Sequence, residues 1–169
     1  MSRRGAGSNR TRSHSSLPTT ATSLFREIGR FVFEYSQLEF DLRRHFRRKI
    51  GFGLQFGDVM SAGFDFDRLC NALKEVSAIE EGGQADPVLM KHLKACKAIN
   101  DIRVAVVHGR WVSTLGGDSV LQVSRGTMKR HRLLEKEGEL DRHSDAIIKL
   151  RVDIADAICA ASKRRKPPQ

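Results

Sequence analysis

The run Leu24-Phe-Arg-Glu-Ile-Gly-Arg-Phe-Val-Phe-Glu-Tyr-Ser-Gln-Leu-Glu-Phe-Asp-Leu-Arg-Arg-His-Phe46 decides the fold. Within it Leu24, Ile28, Phe31, Tyr35, Leu38, Leu42 and Phe46 recur at spacings of four and three, which puts all seven on one stripe of a helix of roughly seven turns. Phe25, Val32, Phe33 and Phe40 lie off that stripe. The helix therefore has a second apolar face, suited to further helices or to another subunit.

Toward the N-terminus the periodicity fades. Residues 1–19, rich in Ser, Arg, Gly and Thr, bury too little apolar surface to offset the entropy of ordering them and read as a disordered basic tail. Toward the C-terminus, Ile50 to Gly63 contains Gly51, Gly53, Gly57 and Gly63 and reads as a loop. Asp65 then caps a helix with Phe66, Leu69, Leu73 and Val76 on its apolar face, which stops before Gly82-Gly83. Asp86 followed by Pro87 starts another helix, because proline at the first helical position lacks only an N–H that has no partner there. Its stripe is Leu89, Leu93, Cys96, Ile99, Arg103 and Val107, with an arginine where an apolar residue is expected.

Gly109 supplies a stop beyond His108. Trp111 to Leu115, a turn at Gly116-Gly117-Asp118, and Ser119 to Val123 read as a short hairpin. Ser124 to Leu140 shows no clean period and reads as an irregular connection. A last helix carries Ile147, Leu150, Ile154, Ile158 and Ala161 on one face. The expected fold is all-α, an antiparallel four-helix bundle over residues 20–162 with a small β-hairpin inserted before the last helix, closed by a basic tail at 163–169.

A chain of 169 residues with 40% apolar and 30% charged residues fits one compact domain, which excludes most multi-domain enzymes. The net charge of +10 hints at a polyanionic partner, but it is concentrated at the ends. Arg3, Arg4, Arg10 and Arg12 lie in one tail and Lys163, Arg164, Arg165 and Lys166 in the other, so the remaining 22 basic and 20 acidic residues leave the body at +2. Such tails attract RNA or DNA, or simply maintain solubility, without specific contacts. No stretch is long and apolar enough to span a bilayer and the start lacks a signal-peptide core, so a cytoplasmic protein without membrane contact is expected. Cys70, Cys96 and Cys159 include no CxxC pair, and the six histidines show no metal-ligand spacing, so neither metal nor cofactor is expected. Dinucleotide, P-loop and nucleophile-elbow motifs are missing.

Polar chemistry is densest in Asn100-Asp-Ile-Arg-Val-Ala-Val-Val-His-Gly-Arg-Trp111, which gathers Asn100, Asp101, Arg103, His108 and Arg110 at one helix end. At about 100° per residue, Arg103 and His108 diverge by about 140°. They converge only if the helix breaks near the histidine or if two subunits pool their residues. The structural alternative pairs Arg103 with Asp101, Glu34 or Glu39 and lets His108 bond the last helical carbonyls. The basic run Arg43 to Lys49 reads as a solvated helix end rather than a phosphate site, Trp111 as packing under the hairpin or a base-stacking platform, and Lys129 to Arg132 as a loop or part of an RNA path.

The Arg-x4-His spacing of Arg103 and His108, the Val-His-Gly-Arg-Trp ending and the Tyr35-Ser-Gln-Leu-Glu-Phe segment of the long first helix resemble the HEPN superfamily over roughly residues 20–162. That resemblance implies a helical bundle that forms a homodimer and acts as a metal-independent endoribonuclease, with Arg103 and His108 catalytic. Asn100, Asp101, Arg110 and Trp111 would line the RNA. It also implies a toxin–antitoxin or phage-defence setting, with an antitoxin or another operon-encoded partner. Val104 stands where the family often carries a polar residue after the arginine. The competing expectation is a non-catalytic dimerisation or RNA-binding module, and a weaker one is DNA binding through the basic tails.

Overall fold

The computed structural model describes residues 19–51, 53–114, 117–123, 130–134, 136 and 138–164. In chain order the elements are α1 (Thr19–Ile50), α2 (Leu54–Ala62), α3 (Phe66–Glu80), α4 (Pro87–His108), β1 (Arg110–Thr114), β2 (Gly117–Val123), β3 (Arg130–Leu133) and α5 (Glu139–Arg164). Most of the basic tails, residues 1–18 and 165–169, falls outside the described residues.

The stripe on α1 forms the centre of the core. Phe31, Leu38 and Leu42 are fully buried, with Tyr35 and Phe46 nearly so, against Leu69, Leu73, Leu89, Ile147 and Ile154. Each large apolar side chain buried this way contributes roughly 1.5–3 kcal/mol. The caps read from the sequence are present. The Asp65 carboxylate accepts the Arg68 N–H at 2.7 Å, and that of Asp86 accepts the Val88 N–H at 2.7 Å. Gly82 and Gly83, with φ of 83° and 124°, end α3 in conformations that glycine adopts without strain.

Two expectations are corrected. The glycine-rich segment 50–63 holds a helix, α2, because Gly51, Gly53 and Gly63 all fall outside it. Only Gly57 is interior, where a Cβ would lie 2.7 Å from Cγ of Arg47, so the missing side chain lets α2 rest on the Arg47 stem. The second correction is β3, inside a stretch expected to be irregular. It pairs antiparallel with β2 and gives a three-stranded sheet of order β1-β2-β3. Gly117 and Asp118, expected in the turn, belong to β2 and pair with Thr114 and Ser113, while residues 115–116 lie outside the described residues.

The added helix changes the bundle's direction. α2 runs back along α1, with the Arg47 guanidinium on Asp58 and that of Arg43 on the Ser61 and Phe64 carbonyls. As a result α3 runs parallel to α1: Tyr35 stacks on Phe66 at 4.9 Å, and Lys49 pairs with Glu80 at 2.5 Å. α5 is also parallel to α1, since Arg30 meets Asp141 and Asp145 while Arg151 meets Glu34 and Asp41. Among these four helices α4 alone runs the other way, with Asn100 on Asp67 and Lys97 on Asn71. The expected antiparallel four-helix bundle is therefore a five-helix arrangement with α1, α3 and α5 parallel.

Candidate functional site

Arg103 continues the buried stripe of α4 after Leu89, Leu93, Cys96 and Ile99, yet it is only half-buried. The reason lies in α3. That helix begins at Phe66, level with Tyr35, and leads away from the N-terminal half of α1. Past Tyr35 the corner of the bundle that α3 would fill is uncovered, and Val107 on α4 and Val32 on α1 stay 46% and 37% exposed. A cation on the inner face of α4 can thus reach solvent.

The Arg103 guanidinium lies 5.7 Å from the centre of the Tyr35 ring, within cation–π range. It makes no ion pair or hydrogen bond among the described residues, which overturns the structural pairing. Glu34 accepts from Arg151 at 3.2 Å and Glu39 from Arg43 at 2.6 Å. Asp101 is exposed. The Tyr35 hydroxyl donates to Oδ1 of Asn100 at 2.7 Å, and Nδ2 of Asn100 donates to Oδ1 of Asp67 at 3.3 Å. Burial holds the Tyr35 phenol well above its ordinary range, the Glu39 carboxylate adds to the rise and Arg103 opposes it, so the hydroxyl remains a donor. Asn100, expected to touch substrate, has its amide drawn into this chain of bonds.

His108 is the last residue of α4 and exposed, with no bond to the last helical carbonyls among the described residues. α4 stays helical to that point, and Gly109 follows in extended backbone, its N–H on the Ala105 carbonyl at 2.7 Å. The helix does not break before the histidine. Within one chain Arg103 and His108 therefore flank a part-exposed face of α4 about 140° apart, with Asn100, Val104 and Val107 between them. A Cβ on Gly109 would lie 2.3 Å from the Ala105 oxygen and 2.4 Å from Cγ1 of buried Val120. Glycine at this position lets β2 close onto the end of α4.

Trp111 pins the same junction. Its indole N–H donates to the Val106 carbonyl at 3.1 Å, satisfying one of the orphan acceptors at the helix end, and the ring packs against the core. Arg110 is exposed. Most of the basic run on α1 is paired internally: Arg43, Arg44, Arg47 and Lys49 meet Glu39, Asp41, Asp58 and Glu80, while Arg48 is exposed. Residues 130–132 belong to β3, and Lys129 lies outside the described residues. Cys70 and Cys96 are buried and free, and the hydrogen bond between Cys96 and Cys70 together with burial pushes the Cys96 thiol up, so both act as small hydrophobes.

Tyr35 and Asp67 are the residues that sequence reasoning missed. Tyr35 stands on the core stripe of α1 and in the segment that carries the resemblance, without a site role, and Asp67, in the first turn of α3, is not singled out by the sequence. Among the described residues no helix is long and apolar enough to cross a membrane, and no three His, Cys, Asp or Glu side chains gather as metal ligands. Comparison with known protein families, characterised proteins and solved structures finds no match to the chain.

Proposed function

We propose that this protein is a metal-independent endoribonuclease of the HEPN type, working as a homodimer in bacterial defence or a toxin–antitoxin pair. The observation that carries the reading is an arginine unpaired among the described residues and an exposed histidine flanking one part-exposed helix face, with every candidate carboxylate for the arginine engaged elsewhere or exposed. Because α4 is unbroken between them, the pair is completed across a two-fold axis near Val104 and Val107, where Arg103 of one protomer faces the histidine of the other.

In the reaction an imidazole takes the proton of the ribose 2′-hydroxyl, whose oxygen attacks the adjacent phosphorus. The Arg103 guanidinium holds two phosphoryl oxygens and offsets the charge of the crowded phosphorane. The imidazolium formed in that step protonates the departing 5′-oxygen. The products are a 2′,3′-cyclic phosphate and a 5′-hydroxyl. Arg110, exposed two residues after His108, draws in the RNA backbone in this reading.

A second reading, a non-catalytic dimerisation or RNA-binding module, is favoured by the separation of Arg103 and His108 within one chain. Cleavage of a mixed RNA pool in EDTA by the wild type and by His108→Ala, with end-group analysis and matched melts, tests between them. Cyclic-phosphate ends that vanish in a folded mutant support the nuclease. RNA binding with no cleavage by either protein supports the module.

A further inference from the structure

Two kinds of partner hold arginines among the described residues, carboxylates and aromatic rings. Arg30, Arg43, Arg44, Arg47 and Arg151 have their guanidinium forks on carboxylates. Arg103, the cation built into the inner stripe of α4, rests instead on an aromatic face. The difference matters for ligand binding. A carboxylate partner occupies the planar N–H fork that would grip a phosphate, whereas a ring face holds the same cation from the side and leaves all five N–H donors available.

The ring is itself fixed. Tyr35 is 5% exposed, stacked on Phe66 at 4.9 Å and tied through its hydroxyl to Asn100, one helical turn before Arg103 on α4. Asn100 is in turn held by Asp67 at the start of α3. Three helices thus converge on the plane under the guanidinium. We propose that Tyr35 is a positioning residue, whose ring holds Arg103 at the uncovered corner with its fork open to a phosphodiester. The proposal rests on the reading of Arg103 as a phosphate-binding group and adds the device that keeps it unpaired and oriented.

The test compares Tyr35→Phe with Tyr35→pentafluorophenylalanine, two rings of nearly equal volume and opposite face charge, in the full-length protein. The readout is the Arg103 Nε–Hε resonance during titration with inorganic phosphate, with melts to confirm the fold and Arg68, which lies 5.1 Å over Phe64, as an internal control. The fluorinated ring is expected to weaken the phosphate response at Arg103 roughly three- to tenfold relative to phenylalanine and to leave Arg68 unchanged. Equal titrations for the two variants, or no phosphate response at Arg103 in the wild type, overturn the proposal. Fluorine-dependent phosphate binding without RNA cleavage removes the nuclease and leaves the positioning role. Cleavage without fluorine dependence does the reverse.

Discussion

Replacing Gly109 by alanine probes the junction that carries His108 and Arg110. The backbone there, at φ −77° and ψ 163°, suits alanine, so any penalty comes from packing alone. The added methyl would lie 2.3 Å from the Ala105 oxygen and 2.4 Å from Cγ1 of Val120, about 1 Å inside the ordinary contact range of 3.4–4 Å. Neither neighbour yields easily, since one is helix backbone and the other is fully buried under the sheet. Overpacking of this kind costs about 1–3 kcal/mol. Loss of the Gly109 N–H bond to Ala105 adds about 1 kcal/mol, while stiffening the unfolded chain returns about 0.4–1 kcal/mol. The net is a destabilisation of about 1–3 kcal/mol, or about 2–12 °C in Tm for a chain of this size. Gly29→Ala is the control, because nothing lies within 4 Å of its Cβ and it sits inside α1. It should stabilise by about 0.5–1 kcal/mol. Thermal melts followed by helix circular dichroism measure both, and a Gly109→Ala protein that melts at or above wild type refutes the close-packing argument.

Two further outcomes are expected. Arg151→Ala should destabilise by roughly 1–3 kcal/mol in chemical denaturation, because it leaves the part-buried Glu34 and Asp41 without the cation that ties α5 to α1, and an unchanged midpoint would count against that role. His45 is nearly buried with Nε2 unpartnered, and burial, followed by Arg44, lowers its pKa below the usual 6.5. The unfolded chain therefore takes up the proton first, so this stabilisation is complete above pH 6.5 and is lost as pH falls through the lowered folded value, with His143 acting in the same sense. Tm should drop between pH 7.5 and 5.5, and His45→Leu should drop less over the same interval; equal drops would remove His45 from the account.

The long stripe on α1 and the caps at Asp65 and Asp86 were legible because each depends on local spacing alone. α2 was not, because a count of glycines cannot separate those that flank a helix from one that sits inside it against Arg47. The parallel run of α1 and α3 follows from that hidden helix and could not be read without it. β3 escaped for another reason: Arg-His-Arg-Leu is a charged edge strand with no apolar alternation, formed by its pairing with β2. At the site, Arg103 announced itself as a break in an apolar stripe. Tyr35 and Asp67 did not, since the worth of a phenol in a core or an acid at a helix start is set by what another helix brings to it.

Whether Arg103 and His108 act in one chain or across two is open to a direct genetic test. With α4 helical throughout, the two side chains of one protomer point about 140° apart and start about 7.5 Å apart along the axis, so a single phosphodiester cannot meet both without bending the helix. In the proposed dimer, a two-fold axis near part-exposed Val104 and exposed Val107 would set each arginine opposite the partner's histidine and form two composite sites. Arg103→Ala and His108→Ala are then each inactive alone. Mixed and allowed to exchange subunits at equal amounts, half of the dimers become heterodimers, and each of these holds one site with an intact arginine and an intact histidine from different chains. If each composite site works independently, the mixture recovers about a quarter of wild-type cleavage. A site built within one chain recovers none, because no chain in the mixture carries both residues, so persistent silence after demonstrated subunit exchange would refute the shared site and return the Arg103–His108 spacing to a role in structure.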